Sequence, residues 1–183
     1  AVAGYGVGTR IEQVVLLPIL GINTAIISII AQNYGAKNFD RIKKTYFTAI
    51  KYAFIIMITS GIIVFISAGI ITSIFSSDPE VIEYGKRYLK ISAFVLPAYP
   101  VFFLSNGFFM ALKKSENAMI SNFFRNVLNP IVVFYVAKYI DASFETFFWI
   151  WVSINWFFSI SYFLVVVYYF KVKLNKFSTV IHP

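Results

Sequence analysis

The sequence predicts an all-α integral membrane protein of five transmembrane helices. Three observations predict it. Hydrophobic residues make up 59% of the 183-residue chain and aromatic residues 20%, with charged residues held to 13%. Soluble domains carry about 45–50% apolar and about 25% charged residues, and the mean hydropathy of +0.75 lies on the membrane side of that contrast. The apolar residues also fall in runs long enough for helices of about 20 residues rising about 1.5 Å each. Finally, the bases lie in the short gaps between those runs, not on one amphipathic face. The net charge of +8 is therefore a topology signal and not a nucleic-acid surface.

The first span covers 9–32. Thr9, Gln13, Thr24 and Ser28 recur at intervals of four, eleven and four, so they project in nearly one direction. Glu12 and Asn23 sit beside that line, and Gln32 extends it by a turn. Pro18 interrupts the span, which a bilayer tolerates where neighbours satisfy the freed carbonyl. A turn broken by Gly35 follows, and the basic segment 38–45 is expected as a short helix along the cytoplasmic face, with Lys43 and Lys44 near anionic headgroups.

The second span, 46–74, is almost wholly aliphatic and aromatic and is expected to face lipid. The third, 88–112, carries Pro97 and Pro100 around Tyr99, the strongest kink signal in the chain. The fourth, 118–139, holds Arg125, Asn126, Asn129 and Pro130. The fifth, 146–170, is rich in aromatics. Trp149, Trp151 and Tyr139 read as an interfacial belt.

Lys37, Arg41, Lys43 and Lys44, then Lys113 and Lys114, then Lys171, Lys173 and Lys176 occupy alternate connections. The opposite set holds Lys86, Arg87, Lys90 and Lys138 among the acids Asp78, Glu80, Glu83, Asp141 and Glu145. Nine bases against four make the first set cytoplasmic, and the assignment alternates through all five spans. The N-terminus is thereby expected outside and the tail 171–183 inside, in a multi-pass protein of the plasma (inner) membrane. An external start without a basic, then apolar, leader suggests a piece of a longer protein.

Cysteine is absent, and the single histidine, His182, reads as tail and not as a ligand. There is no GxxxxGK[ST] loop, no Ser-His-Asp set and no zinc spacing, so neither ATP-driven transport nor an enzyme is expected, and no cofactor.

The candidate site residues are Glu12, Gln13, Asn23, Tyr99, Asn106, Arg125 and Asn126. Glu12 is the only carboxylate inside a span away from its ends. Burial disfavours its charge, so its proton could be exchanged for a cation or substrate; alternatively it pairs with Arg10 and is structural. Arg125 either bonds carbonyls opened by Pro130, snorkels to headgroups, or faces a cavity. Gln13, Asn23, Asn106, Asn126 and Asn129 are interhelical partners or cavity lining. Tyr99, Phe102 and Phe103 form an aromatic wall suited to lipophilic cations, or simply pack.

The pattern AxAGYGxGxRIEQ, then LPxLGxxTAxxxxxAQNYGAKNxDR, resembles a lobe's first cytoplasm-directed helix in the multidrug and toxic compound extrusion (MATE) family. Gln32-Asn33-Tyr34-Gly35-Ala36 is similar to that family's Gln-Asn-x-Gly-Ala turn, and SNGFFMALKKSENAMISNFFRNVLNP resembles its segment joining two helices. Arg10, Arg125 and the basic tail are more similar to the C-terminal lobe. The resemblance implies residues 1–183 as a partial C-terminal lobe, helices eight to twelve of twelve, whose partner is the missing N-terminal lobe. It implies export of organic cations or drugs coupled to protons or sodium, by alternating access. Some branches carry an acid in this lobe's third span. Here no carboxylate lies between Glu83 and Glu116, so the resemblance favours branches whose essential acid lies in the first helix of the other lobe. A lipid-linked saccharide flippase of the same superfamily and a non-transporting membrane scaffold remain open alternatives.

Overall fold

A computed structural model describes the backbone of residues 2–174 and the side chains of 3–172. Of the predicted tail 171–183, residues 175–183, with Lys176 and His182, lie outside the described residues. The described chain is helical almost throughout: α1 (Val2–Gly35), α2 (Phe39–Phe75), α3 (Pro79–Ser92), α4 (Ala98–Ala111), α5 (Ser115–Phe123), α6 (Asn129–Tyr139) and α7 (Phe144–Tyr169). Residues 3–35, 39–75 and 144–172 are each long and apolar enough to cross a membrane. The other two predicted crossings are interrupted, each for a readable chemical reason.

Pro18 leaves α1 unbroken. The turn after it is not made by glycine: Gly35 remains helical, and Lys37 takes the left-handed conformation at φ 56°. The expected surface helix at 38–45 does not form either. Asn38 caps the Arg41 N–H at 3.1 Å, and the helix it starts runs without a break to Phe75. A basic amphipathic stretch joined to an apolar run without a breaker simply propagates, because each further residue adds a hydrogen bond to a helix already nucleated. Along α2, Ile42, Tyr46, Ala53, Met57, Gly61, Val64, Ala68 and Thr72 form a buried stripe spaced by three, four and, once, seven residues. The residues opposite, such as Ile62, Ile66 and Ile70, are exposed, as expected of a lipid face.

The third predicted span breaks at residues 93–97. Pro97 and Pro100 have no N–H to give, so the chain turns through three-residue hydrogen bonds, Val95 N–H to Ser92 at 2.9 Å and Ala98 N–H to Val95 at 2.9 Å. Two carbonyls are left over by the break and both are covered. The Trp156 indole N–H donates to the Phe94 carbonyl at 2.9 Å. Gly61 lets α2 close over the Ala93 carbonyl, where a Cβ would stand only 2.9 Å away. Replacing Trp156 by Phe keeps the ring volume roughly and removes that donor. The bond lies at the exposed surface of the bundle, so a loss of about 0.5–1.5 kcal/mol, the net worth of one hydrogen bond, is expected in thermal or denaturant unfolding.

The fourth predicted span contains a π-helical turn, Phe124–Leu128, between α5 and α6. Pro130 cannot donate to the carbonyl four residues back, and the Asn129 N–H reaches back five residues to Phe124 instead. Within that turn Arg125 is half-buried and its neighbour Asn126 exposed, the ordinary divergence of adjacent helical residues. Asp78, with Pro79 at the first helical position, and Ser143 cap α3 and α7.

Candidate functional site

The site begins with two glycines. Gly4 and Gly8 are four apart on α1, a small-xxx-small pair that lets two helix backbones approach in a membrane. A Cβ at Gly4 would stand 2.7 Å from the Val81 carbonyl of α3, and one at Gly8 would fall on the Tyr88 ring. The same face of α1 one turn on is Glu12, only 8% exposed. The Tyr88 hydroxyl donates to Glu12 Oε2 at 2.5 Å, and the Tyr99 hydroxyl donates to Glu12 Oε1. Both carboxyl oxygens are thus held by phenols, one from each side of the break at 93–97.

Arg125 completes the group. Its guanidinium carbon lies 4.1 Å from the Phe102 ring centroid, 4.8 Å from that of Tyr99 and 5.4 Å from that of Phe103. The three rings considered as a wall for lipophilic cations lie instead around the protein's own guanidinium. Glu12, Tyr99 and Arg125 form a row in which the opposite charges attract across the phenol. Tyr5 closes the far side, edge-on to Tyr88 at 5.1 Å and stacked with Phe148 at 5.7 Å. Arg10, the partner considered for Glu12, is exposed instead. Lysine at position 125 would keep the charge but lose the flat face that lies on three rings. Arg125→Lys is expected to lower stability by about 0.5–2 kcal/mol, read by thermal unfolding.

The other candidates divide. Asn106 ties α4 to α5 and α7: its side-chain carbonyl accepts from Ser121 Oγ at 3.0 Å, Asn122 Nδ2 at 3.3 Å and the Tyr162 hydroxyl at 3.4 Å. Asn23 packs at Gly107 of α4, with its buried Oδ1 lacking a hydrogen-bond partner. Asn129 is buried with Oδ1 in the same condition. Gln13, Thr24, Ser28 and Gln32 lie on the exposed side of α1, so the polar line and Glu12 look in different directions. Neither Gln13 nor Asn126 is brought to Glu12.

Tyr88 is the site residue that span-by-span reasoning passes over. No helical spacing announces it, because the break at 93–97 lies between Tyr88 and Tyr99 and only the fold brings both phenols to Glu12. Among the described residues no group of three or more His, Asp or Glu side chains could hold a metal ion. What the geometry offers is one carboxyl that can change its proton or its partner, two phenols that can follow it, and a fixed cation nearby.

Long apolar helices, two prolyl and π breaks, and a desolvated carboxyl–phenol–guanidinium row define a multi-pass helical membrane protein. A family model described as MatE matches residues 1–135, and the chain belongs to that family. It is 31% identical over 138 residues to the Bacillus subtilis protein named "Probable multidrug resistance protein YpnP", covering 75% of this chain and 29% of that one. It is 26% identical over 142 residues to a Shewanella oneidensis protein named FAD transporter, covering 78% of this chain and 31% of that one. Its fold is similar to that of a MOP superfamily transporter from Pyrococcus furiosus, with a TM-score of 0.87 at 22% identity, over 97% of this chain and 39% of that one. The chain therefore spans about a third of the curated relatives it matches.

Proposed function

We propose that the chain is part of the C-terminal lobe, five of its six helices, of a secondary active exporter of organic cations, driven by protons or sodium and working by alternating access with an N-terminal lobe. The observation that carries this reading is the Glu12 carboxyl, held by Tyr88 and Tyr99 beside Arg125 in the interior of a MatE-family bundle. A carboxyl there can trade its proton or its phenol partners for a cation only when the packing between α1 and the broken α3–α4 changes, which ties ion exchange to conformation. The exposed polar line Gln13–Thr24–Ser28 supports a second element of the reading, a wall facing the cavity between lobes.

In this proposal the crossings are 9–32, 46–74, 88–112, 118–139 and 146–170. The start of the chain lies outside and its end in the cytoplasm, in the plasma membrane. One observation favours a second reading of the cargo. A relative is named FAD transporter, and FAD is anionic through its pyrophosphate and aromatic through its rings, a partner for Arg125 and its ring wall if that contact opens.

The test uses the complete protein in vesicles with an imposed pH or sodium gradient. Gradient-dependent movement of a fluorescent organic cation supports the exporter reading, and movement of a flavin instead moves the cargo to the second. If the active gradient drives neither, in vesicles where the protein is folded and oriented, the exporter reading is overturned in favour of a lipid-linked saccharide flippase or a scaffold.

A further inference from the structure

A second feature lies on the other side of the bundle, away from Glu12. The exposed face of α2, the break at 93–97 and the start of α7 enclose an apolar groove of about 700 Å³. Its floor is made by Gly61, Ala93 and Val152, and its sides by Ile62, Phe94 and Trp156. The one strong donor on its wall, the Trp156 indole N–H, is already spent on the Phe94 carbonyl. The groove follows α2 from Phe54 to Ile66, about 18 Å at a rise of about 1.5 Å per residue. That is close to the depth of one leaflet, half of a hydrocarbon core about 30 Å thick. Its shape suits a hydrocarbon chain and not a compact polar molecule.

The charges sit at one end only. The Lys90 ammonium lies 5.5 Å from the ring centroid of Phe65 at the groove's edge. The Lys86 side chain lies against Gly69, one turn farther along α2. Arg87 pairs with Glu83 at 2.9 Å and Glu145 at 3.5 Å, and Glu83 also feels Lys86 and Lys90, so three bases share these two acids at this end of the groove. The hydrogen bond from Arg87 holds the exposed Glu83 carboxyl below the usual carboxylate range. The Trp149 ring, 44% exposed, stands at the same level, where an indole marks the boundary between hydrocarbon and headgroups.

We propose that this groove holds one acyl chain of an anionic phospholipid whose phosphate rests on Lys86 and Lys90. The break at 93–97 creates the site: a continuous third helix would carry no re-entrant corner at Phe94, and Ile62 and Ile66 would face a flat wall. A bound chain would fill the corner against which the broken span bends. The proposal does not depend on the transport reading, since none of its residues belongs to the Glu12 group.

The test is photolabelling of the complete protein, purified in mild detergent, with phosphatidylglycerol carrying a diazirine on its acyl chain. Phosphatidylcholine with identical chains is the comparison. Label is expected within residues 54–66 and 149–156, with phosphatidylglycerol competing about tenfold better than phosphatidylcholine, as two lysines near a headgroup allow. Lys86→Gln with Lys90→Gln should erase that preference without moving the unfolding temperature in phosphatidylcholine. Ile62→Trp, at a position 55% exposed, should block labelling by both lipids. Equal labelling by the two lipids, or a preference that survives the lysine changes, would overturn the assignment. So would acyl label that avoids the groove, which would mean that another segment of the complete protein covers it. If a variant fails to fold, the lipid competition and label map of the unmutated protein decide.

Discussion

Glu12→Gln is expected to reduce gradient-driven efflux by the complete protein to background while leaving the bundle folded. Glutamine keeps the shape of the side chain and one acceptor oxygen, so one tyrosine retains its bond. The other tyrosine faces an amide N–H₂ and can turn to accept from it. The expected stability change is therefore small, about 1–2 kcal/mol in thermal unfolding. What glutamine cannot do is release a proton or balance a cation. A variant that folds, still binds a fluorescent cation, and no longer couples its movement to pH or sodium is the predicted outcome. Glu12→Asp supplies the contrast: it keeps the ionisable group but is one methylene shorter, so it cannot reach both Tyr88 and Tyr99. Partial activity with its pH dependence retained is expected there. Wild-type efflux and an unchanged pH profile in Glu12→Gln would leave Glu12 a packing residue.

Gly8→Ala carries the largest expected cost in stability. The added methyl falls on the Tyr88 ring, and the ring cannot simply swing aside, because Tyr5 and Phe148 pack edge-on to it at 5.1 and 5.0 Å. Overpacking of this kind costs about 1–3 kcal/mol, and any shift of the ring also weakens its bond to Glu12. Gly6→Ala is the control: a Cβ there meets nothing within 4 Å, so the change should be neutral or gain up to about 1 kcal/mol from helix propensity. The clash has a specific partner, so Gly8→Ala combined with Tyr88→Ala should cost clearly less than the sum of the two single changes. Additive costs would mean that the α1–α3 contact is not made through this ring.

Both predictions rest on a group only half legible in the chain. The all-helical membrane class followed from composition and run length, and the break in the third span from Pro97 and Pro100, because a missing N–H is a local fact that no packing restores. Glu12 and Arg125 also stood out locally, since charge is rare in such runs. The polar line on α1 was a correct reading of helical geometry, yet periodicity could not say that Glu12, one residue from Gln13, turns to the opposite environment.

The sequence by itself determined the class of the protein, the prolyl break of its third span and which charges lie inside it. The tertiary structure alone decided what those charges meet. The bonds to Glu12 come from residues 76 and 87 positions away, whereas a helical pattern reports only on neighbours three and four apart. Arg125 reaches its ring wall through a π turn whose extra residue no hydrophobic pattern announces. Two small misjudgements have the same physical origin. Gly35 stayed helical while Lys37 turned, and the segment 38–45 became the start of α2, because helix ends are set by caps and by what the chain packs against next. Pairing across helices is chosen by shape and distance, and the chain acquires those only when it folds.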